Sequence, residues 1–139
     1  MVTAVDTSVL IDVLRADPEF GAASREALKR CRSEGSLTAC EVVWAELAAG
    51  VGSRDALKRV LDAMALEFGA MGREASFEAG RAWRAYRRRG GRRTRIVSDF
   101  LIGAHARQNA ERLLTRDRGF YAEYFRGLSV LDPSHPRAG

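Results

Sequence analysis

Hydrophobic and polar positions along this chain fall into short apolar runs separated by longer stretches of helical period. Val2 to Val5 is a brief, mostly apolar run, the pattern of a strand covered on both faces. Val9 to Leu14 follows as an apolar helix, so "VTAVDTSVLIDVL" reads as a strand running into a helix, with Asp6 at the junction. Asp17-Pro18 reads as an N-cap followed by proline at the first helical position, opening a helix to about Glu34 that Gly35 stops. Leu37 to Cys40 is a second short strand. Glu41 to Ala49 is a helix ended by Gly50, and Ser53 caps another through about Met64. Leu66 to Phe68 reads as a strand, and Glu74 to Arg89 as a helix halted by Gly90-Gly91. Ser98 reads as the cap of a helix reaching about Ala110. Arg112 to Thr115 is a strand, Gly119 to Phe125 a short helix, and Leu128 to Leu131 the last strand.

Strands separated by helices need crossover connections. The pattern therefore predicts an α/β fold with a short, mostly parallel sheet flanked by helices on both faces. No repeat, low-complexity linker or break in composition divides residues 1–139, which read as one domain. In such sheets chemistry belongs beyond the carboxyl ends of the strands.

Four acids stand out against that rule. Asp6 follows the first strand, and Asp117 follows the strand "RLLT"; both belong at the carboxyl edge. Asp99, in "RIVSDFLIGAHA", falls in the first turn of a helix that leads into the Asp117 strand. A crossover helix runs from the carboxyl edge back across the sheet, which brings Asp99 to the same edge. On the helix "EVVWAELAAG", about 100° per residue puts Glu46 within the apolar sector of Val42, Val43 and Leu47, and Glu41 outside it. A core-facing carboxylate is costly unless paired or metal-bound. Each acid has an ordinary structural explanation: Asp6 as a cap, Asp99 in a favourable first turn, Asp117 opening a turn with Gly119, Glu46 paired to an arginine. None of these explains why all four point to one region. Two carboxylates about 4 Å apart repel by on the order of 4 kcal/mol at an effective dielectric of 20. Four would take up protons or hold a cation, and an all-oxygen set suits Mg²⁺ or Mn²⁺ better than zinc. Phosphodiester hydrolysis is the natural use of such a site.

Charge sharpens the picture. The net charge of +5 hides one intensely basic stretch: Arg81 to Arg95 carries eight arginines and no acid, so the remainder sums to −3. Arg87, Arg88, Arg89, Arg92, Arg93 and Arg95 form its densest part, and such a patch suggests a phosphate-backbone partner. A solvated helix face is the plainer account of it. Trp83 and Tyr86 read as packing or dimer residues among these arginines. Cys31 and Cys40 lack metal spacing and read as inert thiols. No apolar run reaches the roughly 20 residues of a membrane span, and the N-terminus lacks the features of a signal peptide, so a cytoplasmic protein is expected. Asp12 falls on the polar flank of its helix and is expected to face solvent, as is Asp62; Asp132 before Pro133 reads as a turn residue. His105 and His135 have no partner at a recognisable catalytic spacing. A phosphate-binding G-x-x-x-x-G-K-[ST] loop is absent, and neither "AVDTS" nor "VLDPSH" supplies the acid pair or the lysine of a receiver domain.

"VDTSVLIDVL", "VVWAELAAG", "SDFLIGAHA" and "LLTRDRGF" followed by "LSVLDP", in this order and spacing, resemble the PIN-domain ribonucleases, and among them the VapC toxins of toxin–antitoxin pairs. The resemblance covers nearly the whole chain. It implies a three-layer α/β sandwich and Mg²⁺- or Mn²⁺-dependent endonucleolytic cleavage of RNA, commonly tRNA or ribosomal RNA. It implies that Asp6, Glu46, Asp99 and Asp117 are the catalytic, metal-binding acids, with Thr115 and Ser8 supporting them. A homodimer and a VapB-like antitoxin partner are implied as well. The arginine density from Arg81 to Arg95 departs from the family pattern. A member of the same fold that binds RNA or a partner without cleaving is the alternative; the presence of all four acids argues against it.

Overall fold

The computed structural model describes residues 1–92 and 97–135. Among the described residues five strands make one sheet: β1 (Val2–Val5), β2 (Ser36–Ala39), β3 (Leu66–Phe68), β4 (Arg112–Leu114) and β5 (Ser129–Leu131). Their spatial order is β3-β2-β1-β4-β5, and every neighbouring pair is parallel. β1 lies at the centre, where Ala4 pairs with Thr38 on one side and Leu113 on the other. A central parallel strand has water on neither face, which is why the run is short and apolar; Thr3, Ala4 and Val5 are all buried.

Helices fill every crossover. α1 (Thr7–Leu14) and α2 (Gly21–Glu34) link β1 to β2, and α3 (Glu41–Gly50) and α4 (Arg54–Ala63) link β2 to β3. α5 (Arg73–Arg88) and α6 (Val97–Asn109) carry the chain from β3 to β4, and α7 (Arg118–Tyr124) from β4 to β5. Right-handed crossovers place α1–α4 over one face and α5–α7 over the other, giving three layers. The chain builds outward from β1 to β3, then returns to build outward again through β4 and β5. β1 and β4 therefore flank a topological switch point, where open α/β sheets bind their ligands.

The second layer of helices is joined by aromatic rings. Phe100 of α6 meets Tyr86 of α5 at 5.5 Å and Phe120 of α7 at 5.1 Å between centroids, and Phe120 meets Tyr124 at 5.4 Å. Gly103 lets α6 approach this layer: a Cβ there would stand 2.5 Å from the ring of Phe125. Tyr86 and Trp83 are thus packing residues, as expected, with Trp83 stacked on Phe100.

Three helix starts differ from expectation by two residues or more, the first being α1, which begins at Thr7 rather than Val9. Asp17 does cap, accepting from the N–H groups of Glu19 and Phe20 at 2.9 and 2.8 Å, but the turn it closes precedes α2, which begins at Gly21. Ser98 does not begin its helix. Val97 is already helical, so Ser98 lies inside the first turn, and its buried hydroxyl has no hydrogen-bond partner among the described residues.

Candidate active site

Asp6 is the first residue beyond β1, and its own N–H still donates to Leu114 of β4 at 2.9 Å. That bond pins the residue at the switch point. Its side chain is buried, 7 % exposed, and makes no capping bond to α1. The Thr115 hydroxyl donates to Asp6 Oδ2 at 2.6 Å and accepts from the Asp117 N–H at 3.0 Å. One hydroxyl therefore ties the loop after β4 to the acid after β1. Burial pushes the Asp6 carboxyl from 3.8 up to about 6; the negative charges of Asp99 and Glu46 add to the rise, while the Thr115 hydrogen bond and the Thr7 amide oppose it.

Glu46 reaches the same place from α3. It is half-buried and accepts from the Thr7 hydroxyl at 2.8 Å, one residue beyond Asp6. Its neighbour Glu41 is exposed and accepts from the Met71 N–H at 2.8 Å instead, as the helical periodicity predicts. Asp99 projects from the first turn of α6, and Asp117 stands at the start of α7. Asp6, Thr7, Ser8, Glu46, Asp99, Arg116 and Asp117 together line one open cleft of about 450 Å³. The structure thus brings together all four acids that the sequence singled out.

The donor chemistry of this cleft suits a hard divalent cation. It offers carboxylates and hydroxyls, with neither thiol nor imidazole among its lining residues. The Ser8 hydroxyl is buried at the same wall with no hydrogen-bond partner among the described residues, an acceptor left over for a ligand or its water. No three of the described acids stand in ready ligating geometry around a single point. Thr7 holds Glu46 and Thr115 holds Asp6, so these two acids are positioned by hydroxyls.

Asp12 overturns its expectation. It is buried, 2 % exposed, rather than solvent-facing. Arg116 donates to both its oxygens, Nε to Oδ2 at 2.8 Å and Nη2 to Oδ1 at 3.0 Å, and the Ser24 hydroxyl adds a third bond at 2.9 Å. The wheel of α1 could not reveal a partner 104 residues away. Thr7 was also missed; its only sequence signal is its place between Asp6 and Ser8 at the end of a buried strand.

The basic stretch is only partly committed. Arg89 pairs with Glu123 at 3.1 Å and lies over the Tyr124 ring, and Arg87 lies over Trp83 at 5.1 Å. Arg88 and Arg92 are exposed. Arg93 and Arg95 lie outside the described residues. No described helix is long and apolar enough to cross a membrane.

A parallel α/β/α sandwich with acids gathered at its switch point defines a class of protein, and the PIN domain model matches residues 3–125; the chain belongs to the PIN domain family. A search of curated protein sequences gave no match. Among solved structures the chain is similar in fold to one in VapBC2 from Rickettsia felis bound to a promoter DNA fragment. That pair superposes with a TM-score of 0.74 at 20 % identity, covering 95 % of this chain and 98 % of the other. It is similar also to a chain of VapBC-1 from nontypeable Haemophilus influenzae, with a TM-score of 0.74 at 18 % identity over 96 % and 99 % of the two chains. FitAcB from Neisseria gonorrhoeae gives 0.71 at 20 % identity over 97 % and 99 %.

Proposed function

We propose that this protein is a Mg²⁺- or Mn²⁺-dependent endoribonuclease and the toxin of a VapBC-type pair. One observation carries the reading: a buried Asp6 at the switch point whose carboxyl feels Asp99 and Glu46, in a cleft that Asp117 also lines. Such a concentration of negative charge is unfavourable unless protons or a cation offset it. Asp6, Asp99, Asp117 and Glu46 are the residues that would hold the ion. A bound Mg²⁺ or Mn²⁺ supplies Lewis-acid polarisation of a phosphoryl oxygen and activation of a water.

The chain's own groups do the rest. Thr115 holds Asp6 through its hydroxyl and fixes the loop that carries Asp117. Thr7 holds Glu46, and Ser8, whose hydroxyl has no hydrogen-bond partner among the described residues, lines the cleft. The exposed arginines Arg87, Arg88, Arg89 and Arg92 give flanking phosphates a cationic surface. Similarity in fold to chains of VapBC structures supports a VapB-like antitoxin partner, and the proposed toxin acts in the cytoplasm as a homodimer.

The test is cleavage of purified tRNA and ribosomal RNA by the wild type, Asp6→Asn and Asp99→Asn, with Mg²⁺, with Mn²⁺ and with chelator. Cleavage that needs the metal and drops at least about 10²-fold in both variants is expected. Binding of RNA with no cleavage by the wild type would support the silent alternative, and equal cleavage by all three would remove the acids from the chemistry.

A further inference from the structure

Among the described residues that line the acidic cleft, one is a cation. Arg116 lies between Thr115 and Asp117, and its side chain is 32 % exposed at the cleft wall. The guanidinium is unusually well held for a loop residue. Asp12 of α1 grips Nε and Nη2 with both carboxylate oxygens, the Ser24 hydroxyl of α2 holds that carboxylate from behind, and the Phe20 ring centre lies 4.1 Å from the guanidinium carbon. The anchor itself is closed to water, since the Asp12 side chain is only 3 % exposed.

A plain tie between α1 and the β4–α7 loop does not need this arrangement. A buried ion pair is no better a fastener than apolar packing of the same volume. The arrangement does achieve something packing cannot. The bonds to Asp12 use two of the five guanidinium N–H groups and leave three, on a side chain whose plane is fixed at the mouth of the cleft. An RNA phosphodiester entering the cleft meets carboxylates of its own sign, and a fixed guanidinium beside the ion that those acids would hold adds attraction for its non-bridging oxygens. A guanidinium does this with two parallel donors, and one already oriented requires no rearrangement when negative charge builds on the phosphate.

We infer that Arg116 binds the phosphodiester that enters the acidic cleft, and that Asp12, with Ser24 and Phe20, positions it for that contact. The inference rests on the nuclease reading above. Arg116 would touch the substrate; Asp12 acts only through Arg116.

Removing Arg116 alone strands the buried Asp12 charge, so the informative variant is the double Asp12→Asn/Arg116→Met, which removes both charges and keeps an apolar chain over Phe20. Three quantities are read on purified full-length protein. The first is kcat/KM for RNA cleavage in Mg²⁺, expected to fall on the order of 10²-fold. The second is the salt dependence of RNA binding in the non-cleaving Asp99→Asn background, whose log–log slope should become shallower by about 0.7 when one phosphate contact is lost. The third is Mn²⁺ binding, expected to stay within about twofold of wild type because the acids are untouched. A merely structural role would leave the salt slope unchanged. Arg116→Lys keeps the charge but not the paired donors, and should lose about tenfold in kcat/KM; it decides the matter if the double variant does not fold.

A folded double variant with wild-type kcat/KM and salt slope overturns the inference, and so does a fully active Arg116→Lys beside an unfolded double variant. A wild type that cleaves no RNA in either metal overturns the nuclease reading itself, which separates the two failures.

Discussion

At the scale of single residues, Asp6 is the centre of the site. Its folded-state pKa of about 6 lies above the ordinary 3.8, chiefly through burial. The folded protein therefore holds this proton more tightly than the unfolded chain does. In the absence of metal, the stability that Asp6 confers is full below about pH 4 and falls as the pH climbs to about 6, by on the order of 3 kcal/mol. Urea unfolding with chelator across pH 4 to 7 should record that loss, and Asp6→Asn should flatten it. The same slope in both proteins would mean that another group is titrating. Asp6 and Asp12 also mark what a one-residue reading of sequence can reach. Both are acids in the first fourteen positions, one at a strand end and one on a helix. Strand-end position is visible in the sequence because the period changes there. The burial of Asp12 is not visible, because it depends on Arg116 arriving from the other end of the chain.

At the scale of elements, the sheet and its crossovers were legible because each strand is short, apolar and bounded by a helix of different period. All five strands lie where the pattern placed them, to within a residue at either end. Helix starts were less legible: Ser98 looked like a cap and is an interior residue, because Val97 already turns. α6 has a particular duty, since it carries Asp99 to the cleft and Phe100 to the aromatic layer. Phe100 is fully buried against Tyr86 and Phe120, so Phe100→Ala should cost about 3–5 kcal/mol by cavity formation. Phe77→Ala on α5 should change stability by no more than about 0.5 kcal/mol, because Phe77 is 66 % exposed. Chemical denaturation of the two variants side by side checks this. Equal costs would mean that the Phe77 face is covered in solution and that α5 packs against something more than α6 and α7.

At the scale of the whole molecule, two opposite electrostatic surfaces are joined through α6: the acidic cleft that Asp99 lines, and the arginines at the end of α5, where Tyr86 packs on Phe100. The convergence of Asp6, Glu46, Asp99 and Asp117 followed from the sequence because topology alone determines which strand ends share an edge. The hydroxyls that hold those acids, Thr7 for Glu46 and Thr115 for Asp6, depend on side-chain directions that no period encodes. On the proposed toxin reading, the wild type should arrest growth when expressed alone, while Asp99→Asn should not, and a small gene immediately upstream should relieve the arrest; colony counts after induction measure this. Normal growth with soluble wild-type protein would weaken the toxin assignment and leave the nuclease one standing. The most direct measurement concerns the ion itself. Mn²⁺ binding at pH 7, followed by electron paramagnetic resonance of the free ion, should be saturable in the wild type, displaced by Mg²⁺, and weakened at least about tenfold in Asp6→Asn and in Asp99→Asn. Indistinguishable binding curves for the three proteins would contradict the claim that these carboxylates form a metal site.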